Sequence, residues 1–172
     1  MISIEAFSLA NRKILIAVLW EEKIEGITFS LDGKEFLKER ITRLREFLLR
    51  RGASISLRLE TSNYPELVFK ILVGEVENRE ALKELSFATS TPFERRVYIW
   101  LAKNVKRGNI ITYGEVARAL RTSARAIGGA MRRNPYPIVI PCHRVVAKED
   151  LGHYTPKPEY KRFLLEVEGW IG

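Results

Sequence analysis

The only cysteine of the chain, Cys142, is followed directly by a histidine in the run Pro141-Cys142-His143-Arg144-Val145-Val146. A thiol becomes a nucleophile when it loses its proton, and an imidazole or a cationic setting promotes that loss. A lone cysteine is more often a small, inert hydrophobe. Three features point the other way: the adjacent His143, the stiffening by Pro135, Pro137 and Pro141, and a cationic neighbourhood. Such a neighbourhood is expected to lower the thiol pKa from its usual value of about 8.5. Side chains of consecutive residues on an extended chain point apart, so Cys142 and His143 are expected to need a bend or a bridging water. One cysteine and two histidines (the other is His153) cannot close a four-ligand zinc site without carboxylates, so no metal is expected. A single cysteine also excludes an internal disulfide framework and suits a reducing, cytoplasmic setting (nuclear in a eukaryote).

The elements that must position this thiol are legible around it. Thr91-Pro92-Phe93-Glu94 combines an N-cap, a proline at the first helical position and a capping-box glutamate, and Gly108 stops the helix that follows. Thr112-Tyr113-Gly114-Glu115 repeats the capping box and opens a short helix ending at Leu120. Arg121-Thr122-Ser123 forms a tight turn, and Ala124–Arg133 reads as a second helix. Two short helices about a three-residue turn suggest a helix-turn-helix, although any helical hairpin shares the pattern. The second helix has no acid in its first turn and carries Ala124, Ala126, Gly128, Gly129 and Ala130. This bald surface allows another backbone to come close, either a neighbouring helix or DNA. Asn134-Pro135-Tyr136-Pro137 breaks the helix, and Ile138-Val139-Ile140 is expected to be a buried strand or extended run. A last helix is expected over 159–168, with Glu168 on its surface.

The first half reads as strands followed by helices. Lys13–Trp20 is a nearly continuous apolar run suited to a buried strand, and Ile27, Phe29 and Leu31 alternate with Thr28 and Ser30. Turns at Asn11 and Glu21-Glu22 make the first thirty residues an antiparallel meander. A helix follows Asp32-Gly33 and runs to Arg51-Gly52, then a short strand at Ile55, Leu57 and Leu59, then a helix begun by Pro65. This unit holds no His and no Cys, and a structural role is its default. The division is therefore an N-terminal structural domain, 1–88, and a C-terminal domain, 89–172.

The chain has 172 residues, 46% of them apolar, enough for one large or two small packed domains. No run approaches the eighteen apolar residues of a membrane span, and no basic segment precedes an apolar block at the start. The net charge of +8 is unevenly placed: residues 1–88 hold 14 basic and 14 acidic side chains, residues 89–172 hold 15 and 7. Between Arg95 and Lys148 there are 12 Lys or Arg and one acid, Glu115. Such a block repels itself unless a polyanion neutralises it, and nucleic acid is the polyanion that rewards it; a basic surface with no partner is the plainer alternative. The absence of glutamine and the abundance of charge are common in heat-adapted proteins.

Pro141-Cys142-His143-Arg144-Val145 resembles the active-site signature of the O6-alkylguanine-DNA alkyltransferases, direct-reversal DNA repair proteins. The resemblance extends in family order through Thr91-Pro92-Phe93, Tyr113-Gly114-Glu115, Arg125 to Met131, Arg132-Arg133-Asn134-Pro135, Ile138-Val139-Ile140 and Glu168-Gly169, over roughly residues 90–170. It implies an α+β fold: an N-terminal ribonuclease-H-like antiparallel sheet with helices, and a mainly helical C-terminal DNA-binding and alkyl-transfer domain with a helix-turn-helix. It implies that Cys142 attacks the alkyl carbon on O6 of guanine, with O4-alkylthymine a further candidate. His143 takes the thiol proton through water, Glu168 orients that imidazole, Asn134 ties the helix-turn-helix to the site, and Tyr113 helps to turn out the nucleotide and protonates N3. Arg125 is the finger filling the gap left in the stack, and Ala124, Ala126, Gly128 and Arg132 meet a DNA minor groove read with little sequence preference. Met131, Val145, Tyr154 and Thr155 line the pocket. The thioether product is not cleaved, so the chain acts once, as a monomer and without a cofactor or metal. Pro156 and Lys157-Pro158 depart from the family pattern and stiffen the pocket loop. The rival readings are a non-catalytic lesion-binding regulator on the same helix-turn-helix, and a thiol hydrolase using Cys142 and His143.

Overall fold

The computed structural model describes residues 1–152, 154 and 156–170. Three strands, β1 (Ile2–Leu9), β2 (Arg12–Trp20) and β3 (Ile24–Ser30), form an antiparallel meander in that order. The β1–β2 turn places Ala10 and Asn11 at positive φ, the twist that two-residue hairpins favour. β2 reads as a continuous apolar run because both of its faces are covered. Ile14, Ile16 and Val18 enter the main core, while Ala17 and Leu19 join Leu37, Ile41 and Leu48 of α1 (Lys34–Arg50) on the other face.

α2 (Tyr64–Leu72) and a 3-10 helix (Asn78–Glu84) lead to α3 (Pro92–Asn104). β4 (Ile111–Thr112), α4 (Tyr113–Leu120) and α5 (Ala124–Arg132) follow, then a 3-10 turn (Cys142–Arg144), β5 (Val145–Val146) and α6 (Pro158–Val167). Both capping boxes form: Thr91 with Glu94 opens α3, and Thr112 with Glu115 opens α4. Arg121 ends α4 in the left-handed region, and Ser123 caps α5 by accepting from the Ala126 amide, so the helix-turn-helix is present.

Two expected strands are absent. At 55–59 only Leu59 bridges, to Ile2, and Leu57 and Leu59 stay exposed, so no buried face rewards further pairing. Residues 138–140 are buried but turned. Prolines at 137 and 141 offer no N–H to a ladder, and Ile138 sits at φ 74, costly for a β-branched residue. The 3-10 helix at 78–84 had no counterpart in the sequence reading.

The main core is continuous across both halves, from Ile14 to Leu164. Polar ties reinforce it: the Ile27 amide donates to Pro135 O (2.8 Å), Tyr136 Oη accepts from the Phe87 amide (2.9 Å), and Tyr160 Oη accepts from the Leu31 amide (2.9 Å). Among the described residues, no helix is long and apolar enough to cross a membrane.

Candidate active site and nucleic-acid interface

Cys142 starts a 3-10 turn, which supplies the expected bend. Its amide donates to Ile140 O (2.7 Å), and Asn134 Nδ2 holds the same carbonyl (3.1 Å) while Asn134 Oδ1 accepts from the Tyr136 amide (2.9 Å). The thiol is 7% exposed and opens onto a groove of about 760 Å³. Tyr113, Tyr154, Met131, Asn134, Asp150 and Gly152 are among the residues around that groove. Gly152 lies against Tyr113: a Cβ there would meet the phenol oxygen at 3.1 Å, and its φ of 76 excludes most side chains as well.

The electrostatics reverse one expectation. Burial pushes the Cys142 thiol up, and the nearby Asn134, Lys161 and Tyr154 only partly offset it. Desolvation of a largely buried sulfur outweighs the cations, most of which stay in water at the surface. The resting nucleophile is therefore a thiol that must give up its proton. Burial also lowers the pKa of His143, against the pull of Glu168, so the imidazole is neutral and able to accept one. His143 Nε2 lies 3.0 Å from Glu168 Oε2. His143 Nδ1 is buried with no partner among the described residues, which leaves it open to a proton.

Glu168 is buried, not a surface residue of the last helix. Arg144, itself fully buried, grips both of its oxygens (Nε–Oε1 2.9 Å, Nη2–Oε2 2.7 Å). Burial alone would raise the Glu168 pKa, but His143 and Arg144 together hold it down to about 2. Arg144 stood in the sequence motif without a role. Lys161 was missed as well: it is 1% exposed, donates to Val145 O (2.6 Å), and burial lowers its pKa to about 8 with the cysteine sulfur opposing the shift. Lys161 lies seven residues before Glu168, two helical turns along one face, and that spacing was the available clue. Burial keeps Tyr113 and Tyr154 protonated, their hydroxyls thus remaining donors.

Beside this pocket lies α5. Ala124 and Arg125 are exposed and Gly128 half-buried, all three at the groove, and a Cβ at Gly128 would meet nothing within 4 Å. The bald face therefore is not used in helix packing. Gly129 differs: its α-carbon lies under the Arg133 guanidinium. Arg132 is exposed on the same groove, and Ala126 is half-buried in the first turn. Of the expected pocket residues, Val145 stands apart: its side chain is fully buried in the core, and only its carbonyl faces a site residue, Lys161. Thr155 lies outside the described residues. No three His, Cys, Asp or Glu side chains among the described residues are grouped to hold a metal.

A helix-turn-helix set against an enclosed cysteine, histidine and carboxylate is the arrangement of a DNA-directed thiol nucleophile, and comparisons with known proteins agree. Residues 92–170 match the 6-O-methylguanine DNA methyltransferase DNA-binding domain, and residues 1–86 the methylated DNA-protein cysteine methyltransferase N-terminal domain. Methylated-DNA–protein-cysteine methyltransferases of Pyrococcus abyssi and Thermococcus barophilus are 61% identical over 170 residues (99% of both chains) and 60% over 172 residues (100% and 98%). The crystal structure of an O6-methylguanine-DNA methyltransferase from the hyperthermophilic archaeon Pyrococcus kodakaraensis KOD1 superposes with a TM-score of 0.96 at 54% identity, covering 98% of this chain and 99% of that one. The Mycobacterium tuberculosis OGT structure in complex with DNA shares the fold, with a TM-score of 0.63 at 20% identity, over 97% of this chain and 93% of that one. The chain belongs to the methylated-DNA–protein-cysteine methyltransferase family.

Proposed function

We propose that this chain repairs DNA by direct reversal, moving the alkyl group of O6-alkylguanine onto Cys142 in one irreversible transfer. The observation that carries the reading is the placement of the thiol: it opens onto a groove flanked by the bald, cationic face of α5. Chemistry on a base stacked in a duplex requires that the base be turned out into such a recess. Arg125 fills the gap it leaves, and Ala124, Ala126 and Gly128 allow α5 to lie deep in the minor groove, where little sequence is read.

Inside the recess Asn134 holds the turn that carries Cys142, and Met131 and Tyr154 border the base. His143 Nδ1 draws the thiol proton through water, and Glu168 stabilises the imidazolium formed. The sulfur then forms a bond to the alkyl carbon, and the carbon–O6 bond breaks with its electrons moving into the purine. Tyr113, kept protonated by burial, delivers a proton to N3 and regains one from the imidazolium by way of water, so the thiol proton ends on the guanine restored in the DNA. The thioether resists water and thiols, and each chain acts once. We assign the chain to the cytoplasm as a monomer, with 1–88 a structural domain and 89–172 the domain of DNA binding and transfer.

Intact mass after incubation with duplex containing O6-methylguanine tests this. The expected result is a stable gain of one methylene on one equivalent of chain, lost in Cys142→Ala. A lesion-binding regulator on the same helix-turn-helix would bind the duplex and gain no mass.

A further inference from the structure

From the first half of the molecule a polar side chain, Asn78, reaches the scaffold behind the site. Asn78, in the 3-10 helix before α3, is 7% exposed and uses its whole amide. Nδ2 donates to Ile138 O and to Val139 O, both at 2.9 Å, and Oδ1 accepts from Arg144 Nη1 at 3.1 Å. All three bonds are buried and span 60, 61 and 66 residues of chain.

The two ends of this amide hold different parts of one reaction. Its nitrogen fixes the turn that delivers Cys142, in which Ile138 occupies the left-handed region (φ 74). Such a backbone persists only when its surroundings over-determine it, and a carbonyl bound from a separate element is one such constraint. Its oxygen takes one edge of Arg144, with Val105 O (2.7 Å) on the same nitrogen, while the other edge of the guanidinium grips Glu168 beside His143. We propose that Asn78 is a positioning residue for alkyl transfer: it sets the nucleophile's turn at a fixed distance from the Arg144–Glu168–His143 chain. The assignment rests on the repair reading above, and it gives the N-terminal half a part in the chemistry.

No other side chain of this size does both tasks. Aspartate keeps the bond to Arg144 but lacks the donors, and leucine leaves two carbonyls and a guanidinium N–H unpaired in the interior. Outer partners of this kind change activity by about tenfold or more when removed.

The test is alkylation by free O6-benzylguanine, followed by intact mass across acidic and neutral pH, so that duplex binding is not part of the readout. Asn78→Asp is expected to slow the reaction at least about tenfold. Its added negative charge favours protonated His143, the form that cannot take the thiol proton, so the rising acid limb of the profile moves to higher pH. Glu168, Arg144 and Lys161 are the charged groups acting on His143 there. Asn78→Ser, small and neutral, is expected to slow the reaction without moving the limb, and it serves if the aspartate chain does not fold. Affinity for undamaged duplex is expected to stay at the parent value in both. Rates within twofold of the parent, a slowed Asn78→Asp chain with its limb in place, or a loss shared equally by duplex binding would each overturn the proposal. A parent chain inert to both O6-benzylguanine and O6-methylguanine duplex would instead remove the repair reading itself.

Discussion

Among the described residues two carboxylates are buried, each held by two basic side chains, and they do different work. Glu94, in the first turn of α3, binds Arg51 at the end of α1 and Arg133 after α5, and accepts from the Thr91 amide. Glu168 binds Arg144 and stands against His143. Burial opposes ionisation at both, and both are held below the usual carboxylate range by these hydrogen-bonding partners. The difference lies in the partners. Arg51 and Arg133 are permanent charges, partly in water, so Glu94 can only join elements. One partner of Glu168, His143, is held neutral by burial and can take up a proton, so the carboxylate's charge can stabilise a proton arriving there. A buried acid becomes part of a reaction when a group that changes charge lies beside it.

The sharpest way to separate the two is Glu168→Gln against Glu94→Gln. The first is expected to slow alkylation of free O6-benzylguanine about a hundredfold, since the imidazolium loses its counter-charge. It should also raise the thiol pKa, read by thiol titration; an unchanged titration would take Glu168 out of the chemistry. Next in size is Arg125→Ala, which acts at the interface and not at the thiol. It is expected to slow repair in duplex about tenfold, the loss of one intimate contact with displaced base pairs. Its rate with the free base should stay near the parent value, and equal losses on both would end the finger role.

Glu94→Gln is expected to leave the free-base rate within about threefold and to cost about 2 kcal/mol of stability, below the 3–5 kcal/mol of a fully enclosed pair because its arginines are partly hydrated. Thermal unfolding reads this, and a slowed reaction with unchanged stability would exchange the roles assigned to the two acids. The smallest effect is in acid. Glu168 is held at about 2 against an ordinary 4.5, so its contribution is complete above pH 4.5 and is lost as pH falls toward 2. Glu168→Gln should flatten the stability curve in that window, while Glu94→Gln removes a separate part of the same acid limb.

Much of this arrangement is local and therefore legible in the chain. The capping boxes at Thr91 and Thr112 announce their helices because an N-cap and its partner sit three residues apart on one turn. The three-residue turn before Ala124, the bald face of α5 and the cysteine's histidine neighbour are readable for the same reason. Val145 was misplaced, and the strand expected at 138–140 is a turn, because both depended on which way the chain bends after two prolines. Arg144, Lys161 and Asn78 carried no local sign of their burial. Their partners lie 16 to 66 residues away, and only packing brings them together.

From the order of its residues alone, the chain settles that an antiparallel meander precedes a basic helix-turn-helix and that one cysteine follows it beside a histidine, since these depend on periodicity, caps and composition. The folded structure alone decides that the sulfur rests as a thiol, that Glu168 is enclosed by Arg144 and His143, and that Asn78 reaches across from the other half. Solvent exclusion and long-range hydrogen bonds arise when separate elements close on one another, and no short stretch of sequence contains both sides of such a contact.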